Sequence, residues 1–319
     1  MQKYKNNIID IANNYYKYLL NLENVNGIGL GNKYINGIDT LEPCINVLVS
    51  DKINEKYLSK NNIIPKNYMG IKTDVIKVGK IEAENESNPV FLEKQRPLKG
   101  GSVIGFGNTT GTLGFIVTKK IDDEIKYYIL SNNHVLANFN KAPIGSPIMQ
   151  PAKKFGGKNA TDTVAILDTF IKIEPVPDPL PDDVDFPENY VDCAIAKINL
   201  LELVSNEIIE IGKIKGVDKA TVGMSVRKTG FVSGLTKGKV RILNSTLEMG
   251  FGKNNPTAVF KDQLVIKIQT LPGDSGSAMV NADNNVIGLH VGSAKNGYSI
   301  SNDINMVLEK LKVEIYKQE

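Results

Sequence analysis

From Ser102 to the end of this 319-residue chain, short apolar runs are cut again and again by glycine, asparagine and proline. Thr112 to Thr118 and Ile125 to Leu130 flank Asp122-Asp123-Glu124, and later runs stand at Gly238 to Leu243, Val259 to Ile268, Ser277 to Val280 and Val286 to Val291. Apolar runs this short with turn residues between them make strands, and many in succession predict an all-β barrel architecture, its second half beginning near Ala220. The end differs. Ile304, Val307, Leu308 and Leu311 share one face after Ser301 and Asn302 as caps, which predicts a closing helix over Asn302 to Lys312.

The first 97 residues have another texture. Ile8, Ala12, Tyr15, Leu19 and Leu22 recur at helical spacing and predict an amphipathic helix over 7–22. Val25 to Leu30, Cys44 to Val49 and Ile71 to Val78 read as strands, with a helix expected from Asp51 to Ser59. Together they predict a small α/β unit. Gly27-Ile28-Gly29-Leu30-Gly31 does not have the glycine spacing of a dinucleotide loop. Ile81 to Gly101 turns polar and reads as the linker, so the expected division is 1–97 and 98–319.

Chemistry concentrates at Leu271-Pro272-Gly273-Asp274-Ser275-Gly276-Ser277. A glycine lets the backbone turn tightly, so the amides of Gly273 and Ser275 can converge where an oxyanion would form. Read alone, the heptad is as consistent with a plain turn. A serine hydroxyl needs a base, and the base a carboxylate to hold its tautomer. The chain has two histidines, and His134 follows an apolar run in Ser131-Asn132-Asn133-His134-Val135. Asp192 heads another in Val191-Asp192-Cys193-Ala194-Ile195-Ala196. Asp182, Asp183 and Asp185, in a proline-rich stretch, are rival acids; Asp192 is preferred because an acid beside a buried strand must be paired.

In the order His, Asp, Ser, these stretches resemble the trypsin-like (chymotrypsin-fold) serine peptidases, in particular their bacterial, disulfide-free members. The resemblance extends through Val286-Ile287-Gly288-Leu289-His290-Val291-Gly292-Ser293, similar to the substrate-lining strand of that family, and covers roughly residues 98–319. It implies a mostly β fold: a chymotrypsin-like pair of six-stranded β-barrels with a C-terminal helix, preceded here by the small α/β domain. It implies a serine endopeptidase in which Ser275 attacks, His134 moves the proton, Asp192 orients it, and the amides of Gly273 and Ser275 hold the oxyanion. Gln269, His290, Val291 and Gly292 fall at substrate-binding positions. Gln269 stands where an acid would attract Lys or Arg, so no basic preference is expected. His290 sits where glutamate-specific relatives carry a histidine, and reads either as a contact to an acidic substrate side chain or as a packed core residue. In digestive relatives the acid at the Asp274 position is neutralised by a new amino terminus, which leaves open whether residues 1–97 are a pro-domain, a recognition module or a scaffold.

Composition narrows the rest. With 38 basic and 35 acidic residues the net charge is +3, which gives no electrostatic case for nucleic acid or an anionic membrane. No apolar run is long enough to span a bilayer, and no signal peptide is evident, so the cytoplasm is the expected home. Cys44 and Cys193 lie far apart, and Cys193 reads as a small buried hydrophobe. Two histidines and two cysteines argue against a structural zinc site, the acid cluster at 182–185 lacks calcium-loop spacing, and neither metal nor cofactor is expected. Ser225-Val226-Arg227-Lys228-Thr229-Gly230 holds both S-x-x-K and K-T-G, but the two overlap on Lys228 where their chemistry needs separate elements. The expected partner is a protein or peptide substrate, with the oligomeric state open. The competing classes are a catalytically silent peptidase-fold binding or regulatory protein, and an esterase using the same groups.

Overall fold

The computed structural model describes residues 2–82, 90–177, 186–252, 256–294 and 296–317. Its opening is helical. The expected single helix is two, α1 (Gln2–Asn14) and α2 (Lys17–Leu20), parted where Asn13 and Asn14, poor helix formers, meet the buried Tyr16. Ile8, Ile11, Ala12, Leu19 and Leu20 are buried against β1 (Val25–Ile35) and β2 (Ile38–Val49), each large apolar side chain contributing roughly 1.5–3 kcal/mol. No α-helix forms over 51–59. Ile53 and Tyr57 are exposed there, so no apolar face docks, and single 3-10 turns stand at Glu55–Tyr57 and Lys60–Asn62. Strand β3 (Ile71–Lys77) lies parallel to β2, and β4 (Ile81–Glu82) follows.

The glycines of β1 have a packing role. Strand β1 pairs antiparallel with a later strand, and a Cβ on Gly27 would stand 2.7 Å from Leu247 Cβ. Strands β1 to β3 therefore extend a sheet built by the second half of the chain.

The first strand group is β5 (Phe115–Ile121), β6 (Glu124–Ser131), β7 (Pro147–Met149), β8 (Thr163–Phe170) and β9 (Ala194–Ile198). With a late strand at Glu314–Ile315 it makes a six-stranded sheet in the order β7-β8-β9-β6-β5 and then that strand. Side chains alternate between faces. Ile116, Ile129, Ala194 and Ala196 fill an interior cluster with Val135 and Leu167, while Phe115, Tyr128, Leu130 and Ile195 meet Leu289, Ile304 and Val307 from the second group.

That second group is β10 (Ser225–Gly230), β11 (Gly234–Gly250), β12 (Thr257–Lys267), β13 (Ala278–Asn281), β14 (Asn285–Ala294) and β15 (Tyr298–Asp303). Pairing runs β12-β15-β14-β13-β10-β11, and β11 pairs again with β12, so the six strands pair in a cycle. Strand β11 also continues to β1, β2 and β3, which with shorter strands brings this sheet to 13. Helix α1 is tied to the β12 side by Asn13 Nδ2, which donates to Asp262 Oδ1 at 2.9 Å.

The closing helix spans Ile304–Leu311 and buries Ile304, Val307 and Leu311. Its cap is not Ser301 or Asn302 but Asp303, the last residue of β15, whose carboxylate accepts from the amides of Asn305 and Met306. Among the described residues, no helix is long and apolar enough to cross a membrane.

Candidate active site

His134 lies in a one-turn helix, Asn133–Leu136, directly after β6. Asn133 fixes that turn, its Nδ2 donating to the Asn140 side chain and the Ile171 carbonyl at 2.7 Å each. Asp192 stands two residues before β9 and is fully buried. Its Oδ2 is hydrogen-bonded to His134 Nδ1, and its Oδ1 accepts from the His134 amide at 3.2 Å. The backbone of Asp192 is held from both sides. Asn132 Nδ2 donates to its carbonyl at 2.8 Å, and its own amide donates to Asn302 Oδ1 at 2.9 Å. Asp182, Asp183 and Asp185 lie outside the described residues.

Ser275 sits in the turn that feeds β13. Gly273 has φ +103° and Gly276 φ +92°, left-handed values that a side chain resists, and a Cβ on Gly273 would come 2.7 Å from the Phe231 ring. The turn is sewn to the chain on two sides: Thr112 N, three residues before β5, donates to Ser275 O at 2.7 Å, and Gly276 N to His290 O of β14 at 2.9 Å. Among the described residues, neither the Gly273 nor the Ser275 amide donates to a protein acceptor. The Ser275 hydroxyl donates to Val291 O at 2.9 Å, and among the described residues it has no hydrogen bond to His134. The two segments still converge. A Cβ on Gly111 would lie 2.5 Å from Val135 Cγ2, beside the histidine, and 3.0 Å from Ser275 O.

Asp274 is sealed from solvent, and its carboxylate is the hub of the loop. It accepts from Leu271 N at 2.9 Å, Ser233 N at 3.1 Å and Val232 N at 3.2 Å. Its ion partner is Lys228, whose Nζ is 2.7 Å away and equally buried. Burial alone would raise the Asp274 pKa, but the Lys228 charge and these hydrogen bonds hold it below its usual range. Burial lowers that of Lys228, against the pull of Asp274. Sequence alone does not disclose Lys228 in this role. In sequence it stands in the mixed stretch Ser225 to Gly230, where the overlapping S-x-x-K and K-T-G strings overshadow it.

The other substrate-position residues divide. Gln269 is exposed. His290 is 1% exposed, with Nδ1 2.8 Å from Ser299 Oγ and 3.2 Å from Ile300 O. Burial, with repulsion from Lys228, pushes its pKa down to about 3, so the ring is neutral. Val291 holds the serine hydroxyl, and beside Gly292 runs the backbone of Glu82, whose oxygen lies 3.3 Å from where a Cβ on Gly292 would be. Thr270 and Ser293, not singled out from the sequence, join by their hydroxyls next to the Ser275 loop. Among the described residues, no group of three or more His, Cys, Asp or Glu side chains is placed to hold a metal. Both cysteines are buried and unpaired, and burial pushes the thiol pKa of Cys44 to about 12 and that of Cys193 well up.

The trypsin-like peptidase domain family matches residues 111–289, which spans all three motif residues. The chain belongs to the trypsin-like peptidase family. It is a serine protease, and its substrates are proteins or peptides. No curated protein sequence matches this peptidase. Among solved structures it is similar to Thermobifida fusca Protease A, at 14% identity and a TM-score of 0.48, over 69% of this chain and 98% of that one. It is also similar to a glutamic acid specific serine protease that uses a histidine triad in substrate binding, at 19% identity and a TM-score of 0.48, over 69% of this chain and 100% of that one. A third is the chymotrypsin of Cellulomonas bogoriensis, at 19% identity and a TM-score of 0.46, over 69% and 98%.

Proposed function

We propose that this chain is a serine endopeptidase that cleaves peptide bonds through an acyl-enzyme, with Ser275 as nucleophile, His134 as base and then acid, and Asp192 as the orienting carboxylate. The observation that carries this reading is the pair of hydrogen bonds that one buried carboxylate, that of Asp192, accepts from the ring and the amide of His134. With Nδ1 bound to the acid, His134 keeps its other nitrogen for the serine proton. Ser275 Oγ attacks the peptide carbonyl and gives its proton to His134, which passes it to the leaving amine. Water then enters by the same route, releasing the acid product and restoring the hydroxyl. To react, the hydroxyl turns from Val291 O toward His134; such hydrogen bonds are often unmade until substrate arrives. The amides of Gly273 and Ser275 carry the oxyanion charge, and one such donor accounts for about 3–4 kcal/mol in comparable sites.

His290 is assigned the specificity pocket in a second reading. Its Nδ1 side is taken by Ser299 and Ile300, while its Nε2 has no protein partner among the described residues. In the neutral tautomer with Nε2 protonated, Nδ1 accepts from the Ser299 hydroxyl and only abuts the Ile300 carbonyl, and Nε2–H donates to an acidic substrate side chain. Cleavage profiling on a peptide library is expected to place Glu or Asp before the cut, and a profile without them leaves His290 as a core residue.

The decisive test is Ser275→Ala. Peptide and casein hydrolysis is lost while the melting curve is kept, and retained hydrolysis ends the assignment. A fluorophosphonate probe separates the silent-scaffold class, because only an activated serine reacts. Comparing ester and amide substrates separates an esterase.

A further inference from the structure

Strand β14 has two edges, and they are used differently. Along one, β15 pairs from Gly288↔Asp303 to Ala294↔Tyr298. Along the other, β13 pairs only as far as Ala278↔Leu289, after which Ser277 and Gly276 reach His290 and the chain turns into the nucleophile loop. From Val291 to Ala294 the edge beside Ser275 is therefore left for another backbone. Strand β4 takes its far end, antiparallel, with Ser293↔Glu82 and Ala294↔Ile81. From Ile81 to Glu82 the strand advances from Ala294 to Ser293, hence toward Val291, whose carbonyl holds the Ser275 hydroxyl.

This seat is well built. Ile81 is 3% exposed and packs in one cluster with Met249, Phe251, Val291 and Ala294. Glu82 also pairs with Gly250 at the end of β11, so β4 bridges β14 and β11. A peptide that offers its carbonyl to Ser275 must lay the residues before the cut in extended form beside the nucleophile, and strand addition to an open edge is how proteins hold such peptides.

We propose that β4 is a built-in competitor, occupying at Ser293 and Ala294 the far end of the edge that the acyl side of a substrate needs, so that the resting enzyme is restrained at its subsites and not at its nucleophile. This rests on Ser275 being the nucleophile. The loop that carries Ser275 is already held by Lys228 and Asp274, so a small reagent reacts freely while a peptide has first to displace β4. An intramolecular competitor raises KM by the inverse of the open fraction and leaves kcat alone.

Two variants test it, each measured on a chromogenic tetrapeptide amide and with a fluorophosphonate probe. Ile81→Asp puts a charge where none can stay buried; KM is expected to fall at least fivefold, with kcat and probe labelling as in the parent. Glu82→Cys combined with Ser293→Cys joins two directly opposed positions; oxidation is expected to cut peptide turnover at least tenfold, reduction to restore it, and probe labelling to persist in both states. An unchanged KM in folded Ile81→Asp, equal turnover in the oxidised and reduced pair, or a pair that does not oxidise overturns the proposal. Should Ile81→Asp fail to fold, the cysteine pair decides alone. Ser275→Ala is run alongside: turnover surviving in it overturns the nucleophile assignment itself, and the competitor with it.

Discussion

Lys228 Nζ lies 2.7 Å from the carboxylate of Asp274, and neither side chain has any solvent exposure. The residue preceding the proposed nucleophile is thus neutralised from inside the chain, by a lysine on β10, and needs no newly released amino terminus. Removing one member of a buried pair leaves the other charged in a low-dielectric interior, at a cost of about 3–5 kcal/mol. Lys228→Met is expected to lose that much in urea unfolding, and fluorophosphonate labelling of the remaining folded enzyme should slow by roughly a hundredfold as the amide of Gly273 drifts. The double variant Lys228→Met with Asp274→Leu should be the more stable of the two. Mass spectrometry of the labelled parent should find an uncut chain.

Asp192→Asn keeps the shape of the site but lets the amide favour the wrong imidazole tautomer. The expected result is a fall in kcat of about 10⁴-fold with little change in KM, from steady-state kinetics on a peptide amide.

Gly273→Ala places a methyl 2.7 Å from both the Phe231 ring and Val232 at φ +103°. Strain of this kind costs on the order of 1–3 kcal/mol. Turnover should fall further than stability does, because the same backbone carries the amide proposed to hold the oxyanion. Thermal melts and kcat measured together would separate the two effects.

His290 gives the fold an acid-side dependence. Its pKa moves from the ordinary 6.5 to about 3 on folding, chiefly through burial, so between those values the unfolded chain binds a proton that the folded chain refuses. Stability is complete above pH 6.5 and declines as pH falls toward 3, by up to ~1.4 kcal/mol per pH unit from this group. Denaturation midpoints for His290→Gln should show a flatter profile across that window than those of the parent.

The site was legible where chemistry narrows the choice of residue. A base, an acid and a serine flanked by glycines can be recognised from local context, and the buried environment expected for Asp192 is the one it has. What stayed hidden was set by distant partners. Lys228 reads as a surface lysine until Asp274, a strand pairing away, is placed beside it. Ile81 and Glu82 have no strand signal of their own, since two residues form β4 only because β14 and β11 offer edges. The helix at 51–59 failed for the converse reason: its local propensity met no surface to cover. Composition likewise gives no sign that Gly27 and Leu247 are cross-strand neighbours.

That neighbourhood governs how the molecule can be made. On the ribosome β1 emerges long before β11, and until Thr246 and Leu247 arrive, its outer margin has no mate. Cutting the gene at the linker to obtain a minimal enzyme would leave the 17-residue β11 with a raw border of unpaired amides and carbonyls, an invitation to intermolecular stacking.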